Sequence, residues 1–467
     1  MVAASAMVAT SMLHLKRISC GALLLSVSCY LLLVLVLLVF PEHRISISSD
    51  LRRPLLNNLV RDEAGGQVSF DRCWGKRVYV YNLPAQLNEG LVKKCDKQLV
   101  CWLDFCRHLE NYGFGQAIDR SAGWYATDAY MLEVIFHSRI RNYSCLTNDS
   151  SRADALFVPY YAGFDALQYL YSGGCVKTMQ DRHGVELAKW LEKQAGDAWK
   201  RWNGRDHFMV MGRTSWDFAV ARGSWGTGIQ GLDHVANMTT LYIERNPWKE
   251  NQVAVPYPTS FHPSNATQLN AWIRTVATSR RKYLLSFSGG IRATMKDATS
   301  VRSTLLRQCQ KRAELCVHVD CGGSLKCGHD PRPSVAKFLE SEFCLQPRGD
   351  TATRRSAFDA IISGCIPVFF HHDSAYSQYV WHLPSDPGSY SVFIAEESIT
   401  GGGVDVVEFL SSLPGERILE LRSSVVSLIP RLIYRMPGGE NGSGFEDAFD
   451  VSLREVLRRI TGRKAGN

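Results

Sequence analysis

A short stretch between two apolar runs concentrates arginine and glycine in a pattern that suits anion binding. The runs at residues 343–345 and 366–370 predict two buried parallel strands, and we expect a loop and then a helix that begins near Thr351 or Thr353. The N–H groups at a helix start favour an anion, and arginine side chains beside them add fixed positive charge. The stretch therefore predicts a site for the diphosphate of a nucleotide, with pairing of the arginines to local carboxylates as the alternative. The candidate residues are Arg348, Gly349, Asp350, Thr351, Arg354 and Arg355.

A second loop with glycine follows the strand-like run at residues 282–287. Glycine lets a phosphate approach the backbone, and an arginine nearby can neutralise part of the phosphate charge. Ligands of a parallel sheet gather outside the carboxyl ends of its strands, so we expect both loops to lie at one crevice. The alternative is an ordinary turn. The candidate residues of this loop are Ser288, Gly289, Gly290 and Arg292.

Strand-like and helical patterns alternate along the chain, and this alternation predicts an α/β fold with parallel sheets. We expect two doubly wound, Rossmann-like domains that face a cleft. The proline-rich segment 256–265 indicates a linker between them. The strand-like runs lie at residues 76–81, 155–160, 207–211, 282–287, 315–319, 343–345, 366–370 and 391–395. The expected divisions are a first domain at 71–255, a linker at 256–281, a second domain at 282–440 and a final helical segment at 441–467.

The N-terminal region contains an uncharged apolar run at residues 18–40. A helix of that length reaches roughly 34 Å, which is enough to cross a bilayer core. The run is longer than the apolar core of a cleaved signal peptide, which is the alternative, so we expect an uncleaved signal anchor. Residues 1–17 then form a cytoplasmic tail and residues 41–70 a luminal stem.

Glycosylation sequons and cysteines both lie on the far side of this anchor. Twelve of the 14 cysteines follow it, which predicts disulfides in an oxidising compartment, with Cys344 and Cys365 expected to be free core thiols. A zinc site in the group from Cys316 to His329 is the alternative for that segment, but its spacing fits no familiar ligand pattern, so we expect no metal site. The five sequons are at Asn142, Asn148, Asn237, Asn265 and Asn441.

The net charge of the chain is mildly positive, at +8 from 53 basic and 45 acidic side chains. The chain has no long basic run and no nucleic-acid-binding signature, so no nucleic-acid partner is expected. Binding of an anionic small ligand accounts for the excess of positive charge more simply.

Long runs of sequence after Cys73 carry a family resemblance. Residues 342–370 read EFCLQPRGDTATRRSAFDAIISGCIPVFF, and VYVYNLPAQLNEGLVKKC (78–95) and CLTNDSSRADALFVPYYAGFD (145–165) precede them in order. These segments resemble the exostosin-like glycosyltransferases, glycosyltransferase family 47, and within that family most closely the plant xyloglucan galactosyltransferases.

The resemblance implies a GT-B architecture, with acceptor contacts mainly in the first domain, donor contacts in the second, and a last helix that crosses back. It also implies an inverting transfer of galactose from UDP-galactose to xylosyl side chains of xyloglucan, in a single-pass type II Golgi membrane protein of cell-wall synthesis. Asp359 is implied to hydrogen-bond the ribose of UDP. We expect no metal ion or other cofactor, because fixed cations stabilise the departing diphosphate. The resemblance leaves open whether the protein forms an oligomer, either with itself or with other wall glycosyltransferases.

An inverting transfer usually needs a base for the acceptor hydroxyl. Arg213 and Trp216 suit an acceptor cleft, because a guanidinium can bridge hydroxyls and an aromatic face can stack on a sugar. Two alternatives stay open: the same fold could transfer galacturonic acid, or a non-catalytic luminal protein could bind glycans or act as a scaffold. The candidate bases are Asp217, Glu244, Asp128 and His207.

Overall fold

The computed structural model describes residues 59–61, 68–170, 181–219, 226–290, 300–321, 327, 330–437 and 444–465. The predicted anchor, Arg292 and Asn441 lie outside these residues. Within the described ranges, none of the helices has the length and apolar character that a membrane crossing requires. The chain divides into two compact units, residues 1–74 and 75–467. In the first unit, β1 (Leu59–Arg61) pairs antiparallel with β2 (Val68–Phe70).

The second unit contains two five-stranded parallel sheets, which confirms the predicted mixed α/β class. The first sheet has the order β3-β6-β7-β8-β9 and consists of β3 (Val78–Val80), β6 (Ala155–Phe157), β7 (His207–Thr214), β8 (Thr239–Glu244) and β9 (Gln252–Ala254). The second has the order β11-β10-β12-β13-β14 and consists of β10 (Tyr283–Ser288), β11 (Cys316–Val319), β12 (Ser341–Gln346), β13 (Ile366–Phe369) and β14 (Val392–Phe393). A separate antiparallel pair joins β4 (Ala117–Asp119) and β5 (Trp124–Tyr125).

Helices separate most of these strands, as the alternating pattern predicted, although β9 follows β8 without a helix between them. The helices are α1 (Glu89–Val92), α2 (Cys106–Gly113), α3 (Leu132–Ile140), α4 (Ala162–Leu167), α5 (Arg182–Gln194), α6 (Gly196–Lys200), α7 (Asp233–Asn237), α8 (Ala266–Thr278), α9 (Val301–Lys311), α10 (Arg332–Leu339), α11 (Arg355–Ile362), α12 (Glu396–Thr400), α13 (Val406–Ser411), α14 (Gly415–Leu432) and α15 (Ala448–Ala465).

Burial on both faces explains why the strands have near-continuous apolar runs. All eight residues of β7 and all six of β8 are buried. The strand-like runs of the sequence did not include β8 or β9, because TTLYIE and QVA carry polar residues that the pattern assigns to exposed positions. The hydroxyl groups and the carboxylate of β8 are buried nevertheless.

The last helix, α15, lies against the first sheet. Arg463 Nη1 donates to Thr239 Oγ1 at 3.2 Å, and Lys464 Nζ donates to the carbonyl of Asp154 at 2.9 Å. Just before the helix, Asp447 forms a buried ion pair with Arg139 of α3, 3.1 Å apart. These contacts attach the C-terminal residues to strands and helices that lie far earlier in the chain.

Disulfides take up the described cysteines, as predicted for an oxidising compartment. The prediction of free thiols at Cys344 and Cys365 is wrong: these residues lie on or beside the neighbouring strands β12 and β13, and their Cα atoms are 5.8 Å apart, within disulfide range. The other pairs are Cys95–Cys106, Cys309–Cys316 and Cys321–Cys327, and Cys73, Cys101 and Cys145 are also disulfide-bonded. Bonding of Cys316, Cys321 and Cys327 leaves those residues no thiolate with which to hold zinc.

Candidate active site between the two sheets

The two predicted donor loops lie side by side at the carboxyl edge of the second sheet. Strands β10 and β12 are neighbours, with Phe287 opposite Leu345, so the loop that follows Ser288 adjoins the loop that follows Gln346. Ligands of parallel sheets bind at this edge. The structure thus brings together the described donor candidates of both loops.

One buried arginine that the sequence analysis missed connects these loops. Arg302 of α9 donates from Nε to the carbonyl of Arg348 at 2.9 Å and from Nη1 to the carbonyl of Gly290 at 3.0 Å. Arg302 is 46 residues from Arg348 in sequence and lies in no glycine-containing motif, so the sequence carried no signal for this contact.

Arg354 makes a second connection between the loops. Its Nη1 donates to the carbonyl of Pro347 at 3.2 Å and its Nη2 to the carbonyl of Ser288 at 3.0 Å. A Cβ atom at Gly289 would lie 2.9 Å from Arg354 Nη2 and 3.1 Å from the ring of Phe287. A side chain at position 289 would therefore crowd Arg354 and Phe287, and Arg354 helps to hold the two loops together.

Arg348 is the most exposed of the three arginines in the second of these loops and the helix start after it. Its side chain is 47% exposed and pairs with Glu396, with Nε to Oε1 at 2.9 Å and Nη2 to Oε2 at 2.6 Å. Gly349 beside it is half-buried and Asp350 is exposed. Arg348 thus pairs with a carboxylate, as in the alternative interpretation of this stretch. The sequence did not reveal this partner, because Glu396 lies 48 residues from Arg348.

The helix after this loop begins at Arg355, later than predicted, and an anion already lies beside its start. The Oε2 atom of Glu244 accepts hydrogen bonds from Thr353 N at 2.8 Å, from Thr351 Oγ1 at 2.6 Å and from Thr353 Oγ1. Its Oε1 atom accepts from Trp216 Nε1 at 2.8 Å. Thr351 and Thr353 therefore donate to a protein carboxylate at the place where the sequence predicted a phosphate.

These contacts also change the role of Glu244. Four donors from three residues bond to this carboxylate, three of them at Oε2 and one at Oε1. Glu244 ends β8 of the first sheet, whereas Thr351 and Thr353 lie in the loop that follows β12 of the second sheet, so the side chain joins the two halves of the cleft. We therefore regard Glu244 as a positioning residue rather than a base.

Arg355 joins the two halves at another point. Its Nη1 donates to the carbonyl of Thr127 at 2.6 Å, its Nη2 donates to Ser260 Oγ at 2.7 Å, and its Nε lies 3.5 Å from Asp359 Oδ2. Asp359 is buried, and burial raises the pKa of its carboxyl group. The two side chains are thus packed in the interior of the interface, and the burial of Asp359 argues against the ribose contact predicted for it.

On the acceptor side, Trp216 is exposed and Arg213 is not. The indole of Trp216 is 45% exposed and is fixed by its hydrogen bond to Glu244. Arg213 is buried, donates from Nε to Asp217 Oδ2 at 2.8 Å, and places its guanidinium 4.1 Å from the ring centre of Tyr130. Trp216 fits the predicted sugar platform, whereas Arg213 positions Asp217 from within the protein.

The predicted bases do not all lie at the cleft. His207 is the first residue of β7, roughly 23 Å along the strand from its carboxyl end, and is fully buried against Asp206 and Tyr81. Burial also lowers the pKa of His207. Asp128 is half-buried, accepts the N–H of Tyr130 at 2.8 Å and adjoins Thr127. The structure therefore excludes His207 from the cleft.

A further carboxyl group, Glu133, lies beneath the acceptor side. Its Oε1 atom accepts from Gly163 N at 2.6 Å and Gly212 N at 2.9 Å, whereas its buried Oε2 atom has no hydrogen-bond partner. Burial raises the pKa of Glu133 to about 8. Nothing in the helical run around it distinguishes this glutamate from an exposed one, so sequence reasoning missed it.

The raised pKa of Glu133 predicts a pH dependence of stability. Between its ordinary pKa, near 4.5, and about 8, the folded protein retains a proton that the unfolded chain has lost, so the free energy of unfolding falls as pH rises. Glu133→Gln should remove this dependence and stabilise the protein at pH 8 by up to about 4 kcal/mol. Urea unfolding from about pH 5 to 8 measures both effects. If the free energy of unfolding depends on pH in the same way in the unchanged protein and in Glu133→Gln, Glu133 is ionised in the folded protein and the prediction is wrong.

Comparison with known proteins identifies the family. A family model described as the exostosin GT47 domain matches residues 72–409, so the chain belongs to that family and is a glycosyltransferase. It is 40% identical over 410 residues to the probable xyloglucan galactosyltransferase GT15 of Arabidopsis thaliana, covering 84% of each chain. It is 40% identical over 401 residues to the xyloglucan galactosyltransferase MUR3 of the same plant, covering 84% of this chain and 63% of MUR3. It is 39% identical over 395 residues to that plant's xyloglucan-specific galacturonosyltransferase 1, covering 83% and 58%.

Proposed function

We propose that the protein transfers galactose from UDP-galactose to xylosyl side chains of xyloglucan. The observation that carries this proposal is the cleft in which Glu244 connects Trp216, on the acceptor side, to the loop containing Thr351 and Thr353, on the donor side. All three relatives described above carry xyloglucan in their names, which supports the acceptor.

In this proposal the diphosphate of the donor binds at Gly289 and Gly290 and at the loop that contains Arg348. Arg348 is close enough to solvent to exchange Glu396 for a phosphate. The buried guanidinium group of Arg302 and the half-buried one of Arg354 add positive charge behind the loops. Negative charge builds on the diphosphate as the sugar departs, and fixed cations stabilise that charge most in the transition state. The proposed reaction requires no metal ion.

The remaining assignments follow from a GT-B arrangement of the two sheets. We place the acceptor half at residues 71–255 and the donor half at 282–440, with the C-terminal helix returning to the first half. An inverting displacement then requires a base on the acceptor side within hydrogen-bond reach of the attacking hydroxyl. Asp128 is more exposed than Asp217, which is buried beside Arg213, so we assign the base to Asp128.

Galacturonic acid is the second candidate for the transferred sugar. It is supported by the 39% identity to a galacturonosyltransferase, which is nearly the same as the identity to the galactosyltransferases. A donor carboxylate would call for an additional cation at the sugar, and Arg213 is already committed to Asp217. That commitment favours galactose.

A luminal location in the Golgi, behind a type II membrane anchor, fits the same proposal. Disulfides form and persist in oxidising compartments, and the described part of the chain contains several. Of the described sequon residues, Asn142, Asn148 and Asn265 are exposed, so they are accessible for glycosylation.

A transfer assay tests the proposed reaction. The full-length chain, purified in detergent, is given UDP-galactose or UDP-galacturonic acid, each with xylosylated xyloglucan oligosaccharides and a chelator. We expect galactosylated product in the presence of the chelator. Galacturonosylated product alone would contradict the donor, product that disappears with the chelator would contradict metal independence, and binding of UDP without any transfer would favour a scaffold.

A further inference from the structure

We propose that a cavity beside the carboxyl end of β3 is a subsite for a neutral sugar unit of the acceptor, remote from the sugar that reacts. The cavity has a volume of about 270 Å³, and its walls include the segment after β3 and the C-terminal part of α3. This inference rests on the proposed function, because it takes the acceptor to be a glycan. The polar side chains around it are Tyr81, Asn82, Asn88, Glu89, His137 and Arg141.

The lining is rich in hydrogen-bonding groups but balanced in charge. Glu89 and Arg141 form an ion pair with each other, so their charges offset one another at the rim. His137 lies close to Tyr161, with Nδ1 3.0 Å from its hydroxyl, and burial lowers the pKa of His137 to about 4, so its ring is neutral at physiological pH. Neutral amide and imidazole groups suit hydroxyl groups, whereas a phosphate would need an uncompensated cation.

The size of the cavity limits its occupant. Pockets for small molecules usually begin near ~300 Å³, so this cavity suits a single ring rather than a long chain. Val80 and Leu83 add apolar surface to the wall, against which the C–H face of a sugar ring can pack. The combination of apolar wall and neutral polar groups is that of a carbohydrate subsite.

Helix α3 connects this cavity to the cleft. Glu133, His137 and Arg141 are spaced four residues apart, so they lie on one face of the helix at intervals of ~6 Å. Glu133 contacts Gly212 near the end of β7, whereas His137 and Arg141 line the cavity. The cavity is therefore on the order of 10 Å from the acceptor side of the cleft, a distance that an oligosaccharide can span and a single sugar cannot.

Filling the cavity tests the subsite. Ala85 is exposed at its wall, so Ala85→Trp should occupy it, and Ala277→Trp on an exposed face of α8 is the matched control. Calorimetry measures the binding of UDP and of xyloglucan oligosaccharides with one or several repeats. We expect Ala85→Trp to weaken binding of the longer oligosaccharide about tenfold. Binding of UDP, and transfer to the shorter oligosaccharide, should stay as in the unchanged protein.

Equal affinity of Ala85→Trp and Ala277→Trp for the longer oligosaccharide would overturn the subsite. If Ala85→Trp does not fold, Asn82→Ala takes its place, because it only truncates an exposed side chain. Asn82→Ala should also weaken binding of the longer oligosaccharide, and an affinity equal to that of Ala277→Trp would again overturn the subsite. Failure of the proposed reaction gives a different outcome: the unchanged protein would bind the oligosaccharides without transferring sugar. An unchanged protein that binds UDP and neither oligosaccharide would overturn both proposals.

Discussion

Glu244→Ala is expected to lower kcat/KM by roughly 100-fold or more and to weaken UDP binding as well. The substitution removes the acceptor for Thr353 N, the hydroxyl groups of Thr351 and Thr353, and the indole of Trp216. Each buried donor left without a partner costs about 1–3 kcal/mol, and the donor loop would shift to satisfy these groups. Steady-state kinetics and UDP calorimetry measure the two effects.

The pH profile of this variant separates a positioning role from a catalytic base. If Glu244 positions the loop, the residual activity of Glu244→Ala keeps the pH dependence of the unchanged protein. Glu192→Ala, at an exposed glutamate of α5, is the control and should have neither effect. A different result would contradict this role. If Glu244→Ala binds UDP as tightly as the unchanged protein but its activity no longer falls at acidic pH, Glu244 is the catalytic base.

Arg348→Ala is expected to lower kcat by about 100-fold, as for the loss of one donor to a developing negative charge, and to leave the fold intact. The side chain is half-exposed, so its removal leaves no cavity in a core. Arg332→Ala is a matched control, because Arg332 is also exposed and donates twice to one carboxylate, that of Asp330, at 2.8 Å. Circular dichroism and kinetics on both variants measure fold and turnover.

Removing Glu396, the partner of Arg348, tests whether Arg348 binds the donor phosphate or only forms the ion pair with Glu396. In the proposed mechanism Arg348 leaves Glu396 to bind phosphate, so Glu396→Ala should keep most of the turnover and bind UDP at least as tightly. If Glu396→Ala and Arg348→Ala lose turnover to the same extent, the ion pair itself is what activity requires.

The sequence predicted the second sheet well because its strands are buried on both faces. The runs at residues 282–287, 343–345 and 366–370 correspond to β10, β12 and β13, and their order placed the two glycine loops at one edge. The contacts that complete the site could not be predicted in this way. Glu244 and Thr353 are 109 residues apart and lie in different halves of the cleft, so only the packing of the two halves brings them together.

The same limit applies to the individual charged residues. Sequence reasoning could recognise Arg348, Arg354 and Arg355 as a cationic group, but not that Arg354 donates to backbone carbonyls and Arg355 to the opposite half of the cleft. The position of His207 at the amino end of β7 likewise depends on where the strand starts. Burial and strand direction, rather than residue type, decide these roles.

A crystal structure of the protein with UDP tests the donor site most directly. We predict the diphosphate beside Gly289 and Gly290, with the guanidinium of Arg348 turned from Glu396 to a phosphate oxygen and Glu244 still bonded to Thr353. A diphosphate at the start of α11 in place of the Glu244 carboxylate, with the Arg348–Glu396 pair unchanged, would contradict this prediction.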